Sequence, residues 1–405
     1  MQDETVVVTG MGVVSSIGTN LETFVDALRK GKTGLTPLKR FDPAPYPNQY
    51  SFEIVDFKLE GKRTQELLRI NRSAQYAIAA AQSAMKQCGH STDMNPFKVG
   101  IVLGSSFLDL SLVTRFLTDV LKSQLKDYRP LLFPNTVPNA TAAHVAIELN
   151  VRGPNITVLN KQNGAFAALD CGIRLLRMGR VEMVLVGGVD QFSFETFLYF
   201  QQLEKIAGVR GPELHVPFSK NRNGFLMGEG CGMLVLEKAD HAMKRGAPIL
   251  AEIQSVANVF FPCPFNDFLS TQMPSTSSIF DHLLSKAHLR KEEVNAFFAC
   301  ANSSIDIDAW EDEAIASYFG KELPVTAFSS FIGEASDASM LHLIAAIVCL
   351  REQFLFPVVG YEGNPKMGSN ILTKGRESNL LNHVIVSRIG LGGSYSVCLL
   401  SRPAL

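Results

Sequence analysis

Apolar positions along this chain switch repeatedly between two periods. Short apolar runs rich in Val, Ile and Leu predict strands over Thr5–Thr9, Val99–Gly104, Ile156–Leu159 and Met183–Gly187. Further strands are expected over Gly232–Glu237, Ile249–Ala257, Ala296–Asn302 and Val384–Arg388. Between them, helical spacing predicts Leu21–Gly31, an Ala-rich amphipathic helix over Thr64–Cys88 closed by Gly89, and Ala140–Leu149. Another helix starts near Gly164, and Met340–Gln353 reads as a buried one. Strands alternating with helices imply an α/β class with a mostly parallel sheet. The pattern runs twice and joins near residue 245, so two halves are expected, 1–245 and 246–405. The segment Thr33–Asp56 carries four prolines and reads as a surface excursion.

Length and charge narrow the function classes. At 405 residues the chain exceeds one small core. A net charge of −1 gives no attraction for nucleic acid or a membrane surface. The run Met340–Leu350 is interrupted by His342 and is too short to span a bilayer. The start, Met1-Gln-Asp-Glu-Thr5, is acidic and lacks the pattern of a secretory signal. Seven cysteines without C-x-x-C, several inside apolar runs, point to a reduced, cytoplasmic protein with cysteines as small core residues. Eight histidines without H-E-x-x-H spacing imply no metal. Gly10-Met-Gly-Val-Val14 lacks the third glycine and the later acid of a dinucleotide loop, so no nucleotide cofactor is expected. The acidic run Asp306–Glu313 is expected to be a solvated loop and helix start rather than a cation site. His144, on an apolar helix, is expected to be a core residue.

The chemistry concentrates at Asn160–Gly164. A strand ends there, a tight elbow follows and a helix begins, the arrangement by which many enzymes present a nucleophile to a helix N-terminus. Ser or Cys belongs at such an elbow, yet Gln162 occupies it. Glutamine exchanges hydrogen bonds but yields no useful nucleophile.

Four blocks, in order, resemble the β-ketoacyl-ACP synthase family on the thiolase fold. They are Val6-Val-Val-Thr-Gly-Met-Gly-Val-Val-Ser-Ser-Ile-Gly18, then Arg152-Gly-Pro154 before the elbow strand, then Pro217-Phe-Ser-Lys-Asn-Arg-Asn-Gly-Phe-Leu-Met-Gly-Glu-Gly230, and Gly390-Leu-Gly-Gly-Ser-Tyr395. The resemblance spans about residues 5 to 400 and implies duplicated βαβαβ halves in five layers, α-β-α-β-α. By this resemblance the family's catalytic Cys maps to Gln162. Its two histidines map to Asn302 in Cys300-Ala-Asn-Ser-Ser304 and to Glu334 in Phe331-Ile-Gly-Glu334. Its lysine maps to about Ser329 and its gatekeeper Phe to Leu391.

The frame is thus retained while the catalytic set is absent. This is similar to a chain length factor, the inactive partner of the ketosynthase in type II polyketide synthases. The resemblance implies no condensing activity for the chain alone. It implies a heterodimer with an active ketosynthase, service by acyl carrier protein, and a growing polyketide in a shared tunnel. An aromatic product is favoured over a polyene. The interface is expected at Ile156, Thr157, Val158 and Leu159 and at the helix Ala140–Leu149. Phe107, Leu110 and Thr114, taken as one helical face, are expected to close the tunnel together with Gln162 and Leu391. The alternative is a malonyl-ACP decarboxylase of the Gln type. Such domains keep the histidines that stabilise an enolate, which this chain lacks, and a Glu334 carboxylate would oppose the developing anion. A homodimeric scaffold is a third, weaker reading.

Overall fold

Ten principal strands carry the architecture: β1 (Val6–Ser15), β2 (Val99–Gly104), β3 (Asn155–Val158), β4 (Met183–Asp190), β5 (Gly230–Lys238), β6 (Ala251–Phe260), β7 (Ala296–Ala299), β8 (Pro324–Ala327), β9 (His383–Gly390) and β10 (Ser394–Ser401). Among the described residues nine helices of nine residues or more pack with them: α1 (Leu21–Lys30), α2 (Arg72–Gln87), α3 (Leu110–Lys122), α4 (Ala140–Leu149), α5 (Gly164–Arg177), α6 (Phe194–Gln202), α7 (Ser277–Ala287), α8 (Ile305–Phe319) and α9 (Met340–Glu352). The computed structural model describes residues 5–61, 70–89, 94–107, 109–124, 130–263 and 276–403. The first turns expected for the Thr64–Cys88 helix lie outside the described residues.

The strands are ordered β3-β2-β4-β5-β1 in the first half and β8-β7-β9-β10-β6 in the second. Both halves repeat one pattern. β2 runs parallel to β3 and β4, and β5 is antiparallel to β4 and β1. Likewise β7 runs parallel to β8 and β9, and β10 is antiparallel to β9 and β6. The halves join where Val6, Val7 and Val8 pair with Ile253, Glu252 and Ala251. The two ends of the assembly differ. β3 has no strand on its outer side among the described residues, whereas β8 is capped by the two-residue strand Asn370–Ile371.

Alternation along each strand feeds different layers, because successive side chains point to opposite faces. In β4, Val184 and Val186 face the central layer, while Met183 and Leu185 face the outer helix α2. In β9, Val384 and Val386 face the centre and Ile385 the opposite outer layer. The centre is filled by α5 and α9, through Phe166, Leu169, Leu343 and Ile347 among others. Helix α9 is buried all round from Met340 to Leu350, as its unbroken apolar run requires. This is the thiolase fold, with its five layers of helix and sheet. Among the described residues no helix is long and apolar enough to cross a membrane.

The segment Thr33–Asp56 is more than a surface excursion. Its short hairpin pairs Thr36–Pro37 with Tyr50–Ser51, and Phe52 is buried with its N–H on the Met227 carbonyl at 2.8 Å. Strands β8 and β10 are present where none was expected, and β1 runs to Ser15 rather than Thr9.

Candidate functional site

β3 stops at Val158 and the chain turns sharply before α5. Lys161 takes a left-handed φ of 45°, and the Asn163 N–H reaches the Asn160 carbonyl at 3.0 Å. Gly164 opens the helix because a Cβ there would lie 2.2 Å from Asp337 Oδ2. Gln162 is only 4% exposed. Its side-chain Oε1 accepts the Leu391 N–H at 3.0 Å, and its backbone carbonyl accepts from Arg388 Nε at 3.2 Å. The elbow is therefore built as the sequence implies. Its side chain is spent on a backbone N–H that would otherwise face the cavity.

The other replaced positions converge on the same point. Asn302 donates through Nδ2 to Glu334 Oε2 at 2.8 Å, and its Oδ1 accepts the Ser304 N–H at 3.2 Å. Glu334 Oε1 accepts the Ser336 N–H at 2.9 Å and forms an ion pair with Arg388. Arg388, 1% exposed, also donates to the Ser336 carbonyl at 3.1 Å. Burial pulls its guanidinium down, but the Glu334 carboxylate holds it above its ordinary value. The Glu334 charge is thus matched inside the protein by Arg388. Arg388 was not singled out from sequence. Its signal is a lone charge within the apolar run Val384–Ile389.

Gln162, Asn302, Glu334 and Leu391 line one cavity together with Lys205 and Phe225. Its volume is ≈ 20 Å³, about what a single water needs and far below that of an acyl group. Lys205 pairs with Asp306 at 3.4 Å within the same lining. Ser329 is fully buried but stands apart from the cavity. Its hydroxyl donates to the Ala301 carbonyl, and its own carbonyl meets His215 Nε2 at 2.9 Å.

The acidic run is not solvated as expected. Asp308, Glu311 and Asp312 are buried on α8 and accept backbone N–H groups. Asp308 takes those of Phe218 at 2.7 Å and Asn302 at 2.9 Å. Glu311 takes those of Cys300 at 3.1 Å and Ala301 at 2.8 Å, and Asp312 those of Gly368 and Ser369. Burial pushes Asp308 and Glu311 each up to about 7. These carboxylates hold the loop that carries Asn302. His144 is half-buried, with Nε2 2.7 Å from Asn135 Oδ1.

Phe107, Leu110 and Thr114 do not share one helical face. Phe107 precedes α3, Leu110 begins it, and Thr114 is exposed. The Phe107 ring packs on Phe200 at 5.7 Å and Tyr199 at 6.0 Å, beside a cluster that contains Phe225 and Leu391. Helix α3 buries none of its residues, although it carries Leu112, Val113, Leu117 and Leu121. Ile156, Thr157 and Val158 are half-buried on the open edge of β3, and Leu159 lies just beyond the strand, 52% exposed. Nearby helix α4, which packs on β3, exposes Ile147 at 77%. The backbone edge of β3 is thus unpaired among the described residues, with exposed apolar side chains beside it.

Comparison with known proteins agrees with this frame. The chain matches the models of the beta-ketoacyl synthase N-terminal domain over residues 3–242 and C-terminal domain over 266–362. It is 26% identical to the chloroplastic 3-oxoacyl-[acyl-carrier-protein] synthase I of Hordeum vulgare, covering 97% of this chain and 88% of that one. It is 27% identical to nodulation protein E of Rhizobium leguminosarum bv. trifolii, over 89% of each chain. Among solved structures, the ishigamide ketosynthase/chain length factor superposes with a TM-score of 0.87 at 25% identity, covering 99% of this chain and 100% of that one. A type II polyketide synthase ketosynthase, solved bound to the hexaketide with its acyl carrier protein, superposes at 0.86 with 22% identity over 100% of both chains. A thiolase frame with a built elbow, the ordered sequence blocks and domain models spanning both halves place the chain in the beta-ketoacyl synthase family.

Proposed function

We propose that this chain is a non-catalytic ketosynthase-like subunit, a chain length factor, which pairs with an active ketosynthase and shapes the tunnel of a growing polyketide. The observation that carries this reading is the closed site. Gln162 holds the Leu391 N–H, and Arg388 neutralises Glu334 where two histidines would work. Neither the elbow nor the two histidine positions carries a thiol or an imidazole, and the cavity they line is ≈ 20 Å³, while apolar side chains stand exposed beside β3 and on α3. Decarboxylation of malonyl groups fits less well. The Asn302 amide is already donated to Glu334, so the donors an enolate needs are taken. The partner then supplies cysteine and histidines, acyl carrier protein delivers the building blocks, and an aromatic product is favoured.

The test is association. Obligate interfaces of this kind bury on the order of 2,000–5,000 Å². Co-expressed with an active type II ketosynthase, the wild-type chain should co-purify and the pair should condense malonyl units, whereas the chain alone should condense none. Val158→Asp places a charge on the apolar edge and should abolish co-purification. Undiminished affinity in that variant would move the interface elsewhere, and condensation by the single chain would end the reading.

A further inference from the structure

Four donors converge on one buried carboxyl group at the end of β4. Asp190 accepts from Ser105 Oγ at 3.0 Å, Ser106 N at 3.1 Å, Phe107 N at 3.2 Å and Asp337 N at 2.8 Å. Three of these donors belong to the segment between β2 and α3, the segment that carries Phe107. Ser106 adds a second tie, from its hydroxyl to the Lys161 carbonyl in the elbow at 2.6 Å. Asp337 is fully buried and accepts the Ala165 N–H through Oδ1 at 3.0 Å, while its Oδ2 has no hydrogen-bond partner among the described residues.

Two buried carboxyl groups joined in this way divide their roles. A group that receives four N–H and O–H donors is suited to carry the negative charge, and the one with an unpartnered oxygen to carry the proton. Burial raises both, Asp190 to about 6 and Asp337 well above its ordinary value, the second also under the influence of the first.

We infer that Asp190 is a positioning residue whose anion gathers the Ser105–Phe107 segment and so sets where the Phe107 ring stands against the acyl chain. This rests on the chain length factor reading and adds to it a specificity determinant that need not touch the substrate. Asp190→Asn turns an acceptor oxygen into an N–H donor facing other donors, so the segment should shift. Asp337→Asn swaps one neutral group for another and should be silent.

The experiment co-expresses wild type, Asp190→Asn, Asp337→Asn and Ser105→Ala with an active ketosynthase. Product lengths are read by mass spectrometry after feeding malonyl-loaded acyl carrier protein. Asp190→Asn should change the ratio of longer to native-length product by about tenfold, the effect of losing one charge-assisted bond, with subunit stoichiometry intact. Ser105→Ala, which removes the hydroxyl donor to Asp190, should shift the ratio the same way by less, and it decides the matter if Asp190→Asn does not fold. A native distribution in both Asp190→Asn and Ser105→Ala, or an equal shift in Asp337→Asn, would overturn the inference. Failure of the wild-type chain to bind any ketosynthase would instead remove the subunit reading and the inference with it, and the wild-type control makes the two failures distinguishable.

Discussion

Desolvating a guanidinium and a carboxylate together is expensive, and it succeeds only when each keeps its partner. Arg388 and Glu334 lie in that regime, both nearly inaccessible and linked to Gln162, Asn302 and Ser336. Removing one member should therefore cost more than removing both. Arg388→Met is expected to destabilise by about 3–5 kcal/mol, because an uncompensated buried carboxylate remains. Adding Glu334→Met should recover a large part of that loss. Denaturant unfolding of the two single variants and the double variant measures the coupling, and strictly additive losses would show that the pair does not act as a unit. The same wiring explains why a lone Glu334→His change is no route back to catalysis, since it strands Arg388 as an unpaired buried charge.

At the level of elements, the proposed function turns the β2–α3 connection and α3 toward the partner. Phe107 is half-buried among Phe200 and Tyr199, so Phe107→Ala should open on the order of 100 Å³, room for about one or two two-carbon units, at about 1–3 kcal/mol. Under the proposed function the reconstituted pair should then release longer products. Leu110→Ala should act in the same direction with less effect, and Thr114→Ala, at an exposed position, should be silent. Mass spectrometry of the three product mixtures decides, and unchanged lengths for both Phe107→Ala and Leu110→Ala would remove this face from length control. Much of this layout is legible in the sequence, because Val99–Gly104 and Ala140–Leu149 have the apolar periodicities of their elements. β8 escapes because its four residues open with Pro324, too short and too atypical to register as a strand. The buried acids of α8 escape for another reason. Their partners are backbone N–H groups of Cys300, Ala301, Phe218 and Gly368, and backbone donors have no side-chain signature. The Arg388–Glu334 pair spans 54 positions, so only folding reveals why a charge sits in an apolar strand.

For the molecule as a whole, buried titratable groups pull stability in two directions. Burial raises Asp308 and Glu311 to about 7 and Asp190 to about 6, above the 3.8–4.5 range they start from. The folded state binds those protons more tightly, so their contribution is full below about 4 and is lost as pH rises from there through 6 to 7. His215, lowered by burial to about 4, and His342, lowered further, act oppositely, and their contribution fades as pH falls below about 6.5. The four raised acids, Asp190, Asp308, Glu311 and Asp337, outnumber these two histidines, so this set of groups should make stability decline as pH rises from about 4.5 to about 7. Denaturation midpoints across that range test this, and a steady rise from pH 4.5 to 7 would contradict it. One further property follows from the unequal ends of the sheet. Among the described residues the β3 side offers four residues without a strand on their outer side, near exposed Leu159 and Ile147, whereas the other end finishes in the two-residue strand Asn370–Ile371 beside Pro324. Under the proposed function such a body has one border open to a neighbour, so pairing along the sheet is expected to stop at two chains instead of propagating into a fibre, and the solution mass of the co-purified complex tests this.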